Sequence, residues 1–149
     1  MNEDPVTTRV IGVGNRERGD DAAGPEVVRR LADRGPRGLH TIECDGGLGP
    51  TFDAITGAGS VLVVDAMSSG ATPGTVRRFD AGEGPLPVAF AARSTHGFGV
   101  GEAVELARVL GRLPDRIEVI GIEGACWDPG APLSPPVEAA IARLVDELA

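Results

Sequence analysis

Two adjacent carboxylates, Asp20 and Asp21, follow the glycine-broken run "GVGNRERG". A third, Asp65, stands at the end of the apolar run "SVLVVDA", and an imidazole, His96, lies in the segment "STHGFG". Two carboxylates and one ring nitrogen make a hard-to-borderline donor set, suited to a divalent ion such as zinc or nickel and leaving coordination positions open. The same groups can accept a proton from water or from a reacting group. Each also has a plainer role. An acid at a helix start caps the helix or sits in the field of its dipole; Asp20 is the expected cap, which leaves Asp21 for chemistry. A histidine between Thr95 and Gly97 can simply brace its loop. Asp65 is the hardest to explain structurally, because an acid directly behind four apolar strand residues stands at the functional edge of a sheet.

For these residues to meet, the elements around them must point the same way. "TRVIGV" (8–13), "LHTIEC" (39–44), "SVLVVDA" (60–66) and "RIEVIGI" (116–122) read as strands, and the unbroken apolar runs of the last two suit a sheet covered on both faces. Apolar positions at helical spacing predict helices over 21–32, 51–57, 101–113 and 134–149, the first with Pro25 in its opening turn and the last with Ser134 as its cap. "TVRRF" (75–79) reads as an edge strand, and 80–95, punctuated by glycine and proline, as an irregular excursion. Alternating strands and helices predict one α/β domain over residues 1–149: a doubly wound, mostly parallel sheet of about five strands with helices on both faces. Ligands of such sheets sit outside the carboxyl ends of the strands. The first turn, the end of the third strand and the loop before the late helix all reach that rim.

Composition removes several alternatives. The chain has 149 residues and a net charge of −8, which disfavours nucleic acid as a partner because little cationic surface is present to displace counterions from phosphates. All 14 basic residues are arginine, so a Walker-type phosphate loop and Schiff-base lysine chemistry are both excluded. The turn "GVGN" fails the dinucleotide fingerprint, since position 17 is Glu rather than glycine. No serine lies in a GxSxG elbow. Cys44 and Cys126 match no paired motif and are expected as reduced thiols, Cys44 as a small buried hydrophobe ending a strand. No apolar run reaches membrane-span length and the first residues do not resemble a secretory signal, so a cytoplasmic protein with no membrane partner is expected.

Taken together, "GVGNRERGDDAAGPEVVRRL", "CDGG", "VLVVDAM", "STHGFGV" and "LSPPVEAAI" resemble the nickel-iron hydrogenase maturation endopeptidases, in order and at compatible spacing from about residue 8 to 148. The resemblance implies a doubly wound α/β domain that removes the C-terminal extension of a hydrogenase large-subunit precursor after nickel insertion. It carries the metal-contacting and catalytic triad of that family onto Asp21, Asp65 and His96. The nickel is then supplied by the precursor, other divalent ions can substitute, and the isolated chain should hold metal weakly. On the same resemblance, glycines 12 and 14 turn the chain away from the first strand so that Asp21 faces the cleft. Ala22 and Ala23 stand where many relatives have glycine, and residues 80–93 match nothing in the family pattern. The competing readings are a non-catalytic nickel-sensing or docking factor for the same precursor and a small nucleotide-binding module.

Overall fold

A computed structural model describes residues 7–87 and 99–149. Among the described residues ten elements follow one another along the chain. They are β1 (Thr8–Val13), a 3-10 turn (Gly19–Ala22), α1 (Ala23–Arg34), β2 (Leu39–Cys44), α2 (Leu48–Thr56), β3 (Ser60–Met67), β4 (Val76–Asp80), α3 (Val100–Val109), β5 (Arg116–Glu123) and α4 (Pro135–Leu148). The strands form one five-stranded sheet in the order β2-β1-β3-β5-β4. The first four of these run parallel, and β4 pairs antiparallel on the border beside β5. The expected architecture is therefore present, including the edge strand.

Alternation along the strands feeds two cores. Val10, Leu62, Val64, Ile120 and Ile122 point to one face, where Val27 and Leu31 of α1 and Ile141 and Leu144 of α4 cover them. Ile11, Val13, Val61, Val63 and Val119 point to the other, against Ile55 of α2 and Val104 of α3. Each such side chain taken out of water contributes roughly 1.5–3 kcal/mol before chain entropy is set against it. Strand order reverses beside β1 and β3, the two strands whose ends carry the candidate acids.

Several bounds differ from the sequence reading, and each difference has a cause. The first helix begins at Ala23, not Asp21, because Asp20 and Asp21 lie in a tighter 3-10 turn that precedes it. β3 runs two residues past Asp65 because Ala66 and Met67 still pair with Ile122 and Glu123. α3 stops at Val109, where Leu110 and Gly111 close the last turn, Gly111 at φ +68°. α2 begins at Leu48, directly behind the double glycine.

Gly12 does not turn the chain. It sits inside β1, and a Cβ there would lie 2.2 Å from the Gly24 carbonyl oxygen and 2.8 Å from a Val28 methyl. A Cβ on Gly24 would lie 2.4 Å from the Val64 oxygen and 2.5 Å from the Val13 oxygen. Two glycines facing one another thus let α1 lie on the sheet closer than any side chain would permit. Gly24→Ala tests this. In an open helix that exchange stabilises by about 1 kcal/mol; here urea unfolding should show a loss of about 2 kcal/mol or more from overpacking. Gly49→Ala in α2, where a Cβ meets nothing within 4 Å, should cost nothing measurable.

Candidate active site

The carboxyl rim of the sheet is built from the connections that follow β1, β2, β3 and β5. The turn after β1 is set by Gly14, at φ +148°, where a Cβ would fall 1.9 Å from the Asp21 carbonyl oxygen; only glycine allows the chain to fold back so tightly. Asn15 organises the rest, its side-chain oxygen accepting from the Glu17 N–H at 2.9 Å. The Asn15 N–H donates to Asp21 Oδ2 at 2.9 Å, which fixes one carboxylate oxygen of a half-exposed side chain. Asn15 thus braces this turn at two points.

Asp65 pairs in register with Val13, the last residue of β1, and with Gly121 of β5. It lies in the middle of the sheet at the rim, 9% exposed, and alternation puts it on the face covered by α2 and α3. The 3-10 turn bearing Asp21 packs against β3, so Asp21 and Asp65 belong to two elements in contact at one rim. His96 lies outside the described residues. What can be placed is the start of α3. Near the other end of that helix, Arg108 donates to the carbonyls of Ala81 and Gly84, and Ala81 bonds to Ile117 at the start of β5. The helix therefore runs away from the rim and begins there, at Gly99, whose N–H donates to Glu102 at 2.9 Å. Among the described residues no three His, Cys, Asp or Glu side chains form a group able to hold a metal ion.

Asp20 caps no helix of its own. It is fully buried and accepts hydrogen bonds from the N–H groups of Ala125 (2.7 Å), Cys126 (3.1 Å) and Ser134 (2.7 Å) and from the Ser134 hydroxyl (2.8 Å). Its own N–H donates to the Cys126 carbonyl at 2.8 Å. It ties the first turn to the long β5–α4 connection, and it occupies the Ser134 hydroxyl that would otherwise cap α4. Burial alone would raise its pKa; the donated bonds from Ser134, Ala125 and Cys126 outweigh burial and hold it below the ordinary 3.8.

Glu123, absent from the sequence candidates, is the matching device on the other side. It is 2% exposed, and its carboxylate accepts from the Ser69 N–H, the Ser69 hydroxyl at 2.5 Å and the Ala71 N–H at 2.9 Å, while its backbone bonds Gly74 and Thr75. The loop that follows Asp65 is pinned at both ends by this one residue. The signal was present, since Glu123 ends an apolar run just as Asp65 does; spacing does not distinguish an acid spent on a loop from one facing a cleft. Cys44 follows its plain reading: burial, then the charges of Asp45 and Glu43, push its thiol pKa up, which is the reverse of nucleophile activation.

Two grooves open on either side of the first turn. One, of about 550 Å³, lies toward the end of β2, and the other, of about 660 Å³, toward residues 129–131. An extended peptide crossing the rim has room on both sides.

Solved structures similar to this one include several described as hydrogenase maturation proteases. The chain is similar to a hydrogenase maturating endopeptidase, HybD, of Escherichia coli, at TM-score 0.77 and 23% identity over 95% of this chain and 89% of that one. It is likewise similar to a hydrogenase 2 maturation peptidase of a Thaumarchaeota archaeon, at TM-score 0.68 and 25% identity over 95% of each. Among sequence relatives, the hydrogenase expression/formation protein HupD of Thiocapsa roseopersicina is 28% identical over 149 residues, covering 98% of this chain and 67% of its own. HupD of Bradyrhizobium diazoefficiens is 29% identical over 140 residues, covering 92% and 73%. Residues 25–149 match the family described as HycI, hydrogenase maturation protease. The chain belongs to the hydrogenase maturation protease family and is, with it, a hydrolase of peptide bonds.

The Asp20 anchor carries a pH signature. Because its folded pKa is lowered, its stabilisation is complete above the ordinary value of 3.8 and is lost as pH falls through the lower folded value. Asp20→Ala strands three N–H donors and a hydroxyl and should lose about 3 kcal/mol at neutral pH in chemical unfolding. Asp20→Asn should also lose stability, and its unfolding free energy should fall less steeply than the parent's below pH 4.

Proposed function

We propose that this protease removes the C-terminal extension of a nickel-iron hydrogenase large-subunit precursor in the cytoplasm, after nickel has entered the precursor. The observation that carries the reading is the contact between the turn holding Asp21 and the strand holding Asp65. Two acids of different exposure stand on neighbouring elements at the edge where a doubly wound sheet receives its ligand. His96, three residues before Gly99, the N-cap of α3 at that rim, is the third member in this reading, since three residues span at most about 10 Å.

In this reading the nickel is part of the substrate. Oxygen donors from Asp21 and Asp65 and a nitrogen from His96 suit a borderline divalent ion already held by the precursor. Recognition then depends on the ion being in place, since two acids brought together without a cation repel one another. The Asn15 N–H, bonded to Asp21 Oδ2, fixes the orientation of that carboxylate. Asp65, nearly withdrawn from water, gains more from a cation than an exposed acid would. Either acid can accept the proton of an attacking water, and the fixed backbone of the Gly14 turn holds that geometry without reorganisation at the moment of reaction.

Incubation with nickel-loaded precursor should shorten it by its tail, read as a mobility shift and by the mass of the released peptide; nickel-free precursor should stay full length. Asp21→Asn, Asp65→Asn and His96→Ala should each slow processing roughly a hundredfold or more, with far-UV spectra and melting temperatures close to the parent's. Undiminished processing by all three would remove the site, and a bound but uncut precursor would remove the assignment.

A further inference from the structure

The two grooves beside the first turn differ in charge. The groove toward β2 carries three acids, Glu17, Glu43 and Asp45, against the single guanidinium of Arg16. That guanidinium is already spent, since Arg16 pairs with Glu43 through two hydrogen bonds, one at 2.6 Å. The groove toward residues 129–131 is lined by Arg16, Glu17 and Arg18, and with Arg16 held by Glu43 the cation it adds is Arg18. In a chain of net charge −8 this hollow is free of the acid excess of its neighbour. Arg18 is half-buried, lines only this groove, and makes no ion pair among the described residues.

The hollow is also built to stay open. The Glu17 carbonyl accepts the Gly130 N–H at 2.6 Å, so the two segments that line it are bonded to one another. The Arg18 backbone is fixed on both sides, its N–H donating to the Asn15 carbonyl and its own carbonyl accepting from Asp21. The guanidinium therefore stands three residues from Asp21 on the same turn, within reach of a peptide whose cleaved bond lies at the acids.

We infer that this groove receives an acidic residue of the precursor close to the cut, and that Arg18 is the side chain that reads it. The inference rests on the proposed cleavage of the precursor and adds a specificity determinant to it. A polypeptide offers a carboxylate as its anion, and the acid-rich groove on the other side of the turn would repel the same residue, so the charge difference also sets the direction in which the chain is laid across the rim.

The test compares the parent, Arg18→Gln and Arg18→Glu on nickel-loaded precursor, by processing kinetics and by calorimetric affinity. A partly exposed ion pair acts on binding more than on the chemical step, so KM and Kd should rise about two- to fivefold in Arg18→Gln and about tenfold in Arg18→Glu, with kcat within roughly twofold. The differences should shrink at ~0.5 M salt. Changing each Asp and Glu within about ten residues of the cut to Lys should reveal one position at which the loss suffered by the parent is reversed in Arg18→Glu. The inference is overturned if Arg18→Glu keeps KM and Kd within roughly twofold of the parent, or if no precursor position distinguishes the two enzymes. Should the parent bind the precursor without cutting it, the processing assignment fails, while the affinity comparison still decides the groove.

Discussion

The structure depends on a buried carboxylate being fully satisfied. Asp20 collects three backbone N–H groups and a hydroxyl from a segment more than a hundred residues away along the chain. An acid in that position costs several kcal/mol if its partners are missing and returns it only when all of them are in place. The first turn and the β5–α4 connection are therefore held together or lost together. Asp21, the next residue, inherits its position from this arrangement.

Glu123 does for the loop after β3 what Asp20 does for the turn after β1. Both are acids at the rim with negligible exposure, and both face backbone donors rather than cations. Between them stands Asp65, at the end of the central strand. The acids of the proposed site are thus bracketed by acids committed to architecture. The close approach of Gly12 and Gly24 completes the frame, since it seats the helix that follows Asp21 directly on the sheet. Surface pairs such as Arg30 with Glu26 and Glu138 link α1 to α4, but at their exposure each adds little.

Period and composition made the frame legible in advance: the continuous apolar runs of β3 and β5, the helical spacing of α4 and the charged border strand β4 all carry local signals. What the chain order did not carry was partnership at a distance. Nothing near Asp20 announces Ala125 or Ser134, so an acid at a helix start was read as a cap. Nothing near Gly12 announces Gly24, so a glycine at a strand end was read as a turn. Asp21 and Asp65 were singled out by position relative to the sheet, and the elements that bear them are in contact. Glu123 shows the limit of that signal, since the same position can be filled by an acid with purely structural duties.

The border strands bear on how a polypeptide substrate can approach. β4 turns Arg77, Arg78 and Asp80 outward, with Arg78 drawn to Glu118 and Glu147, and β2 on the far side exposes His40 and Glu43. Borders studded with charge discourage a visiting strand from extending the sheet. A tail to be trimmed would then lie across the strand ends like a thread over the teeth of a comb, gripped by side chains and loop amides, with its sequence free to vary wherever no tooth touches it.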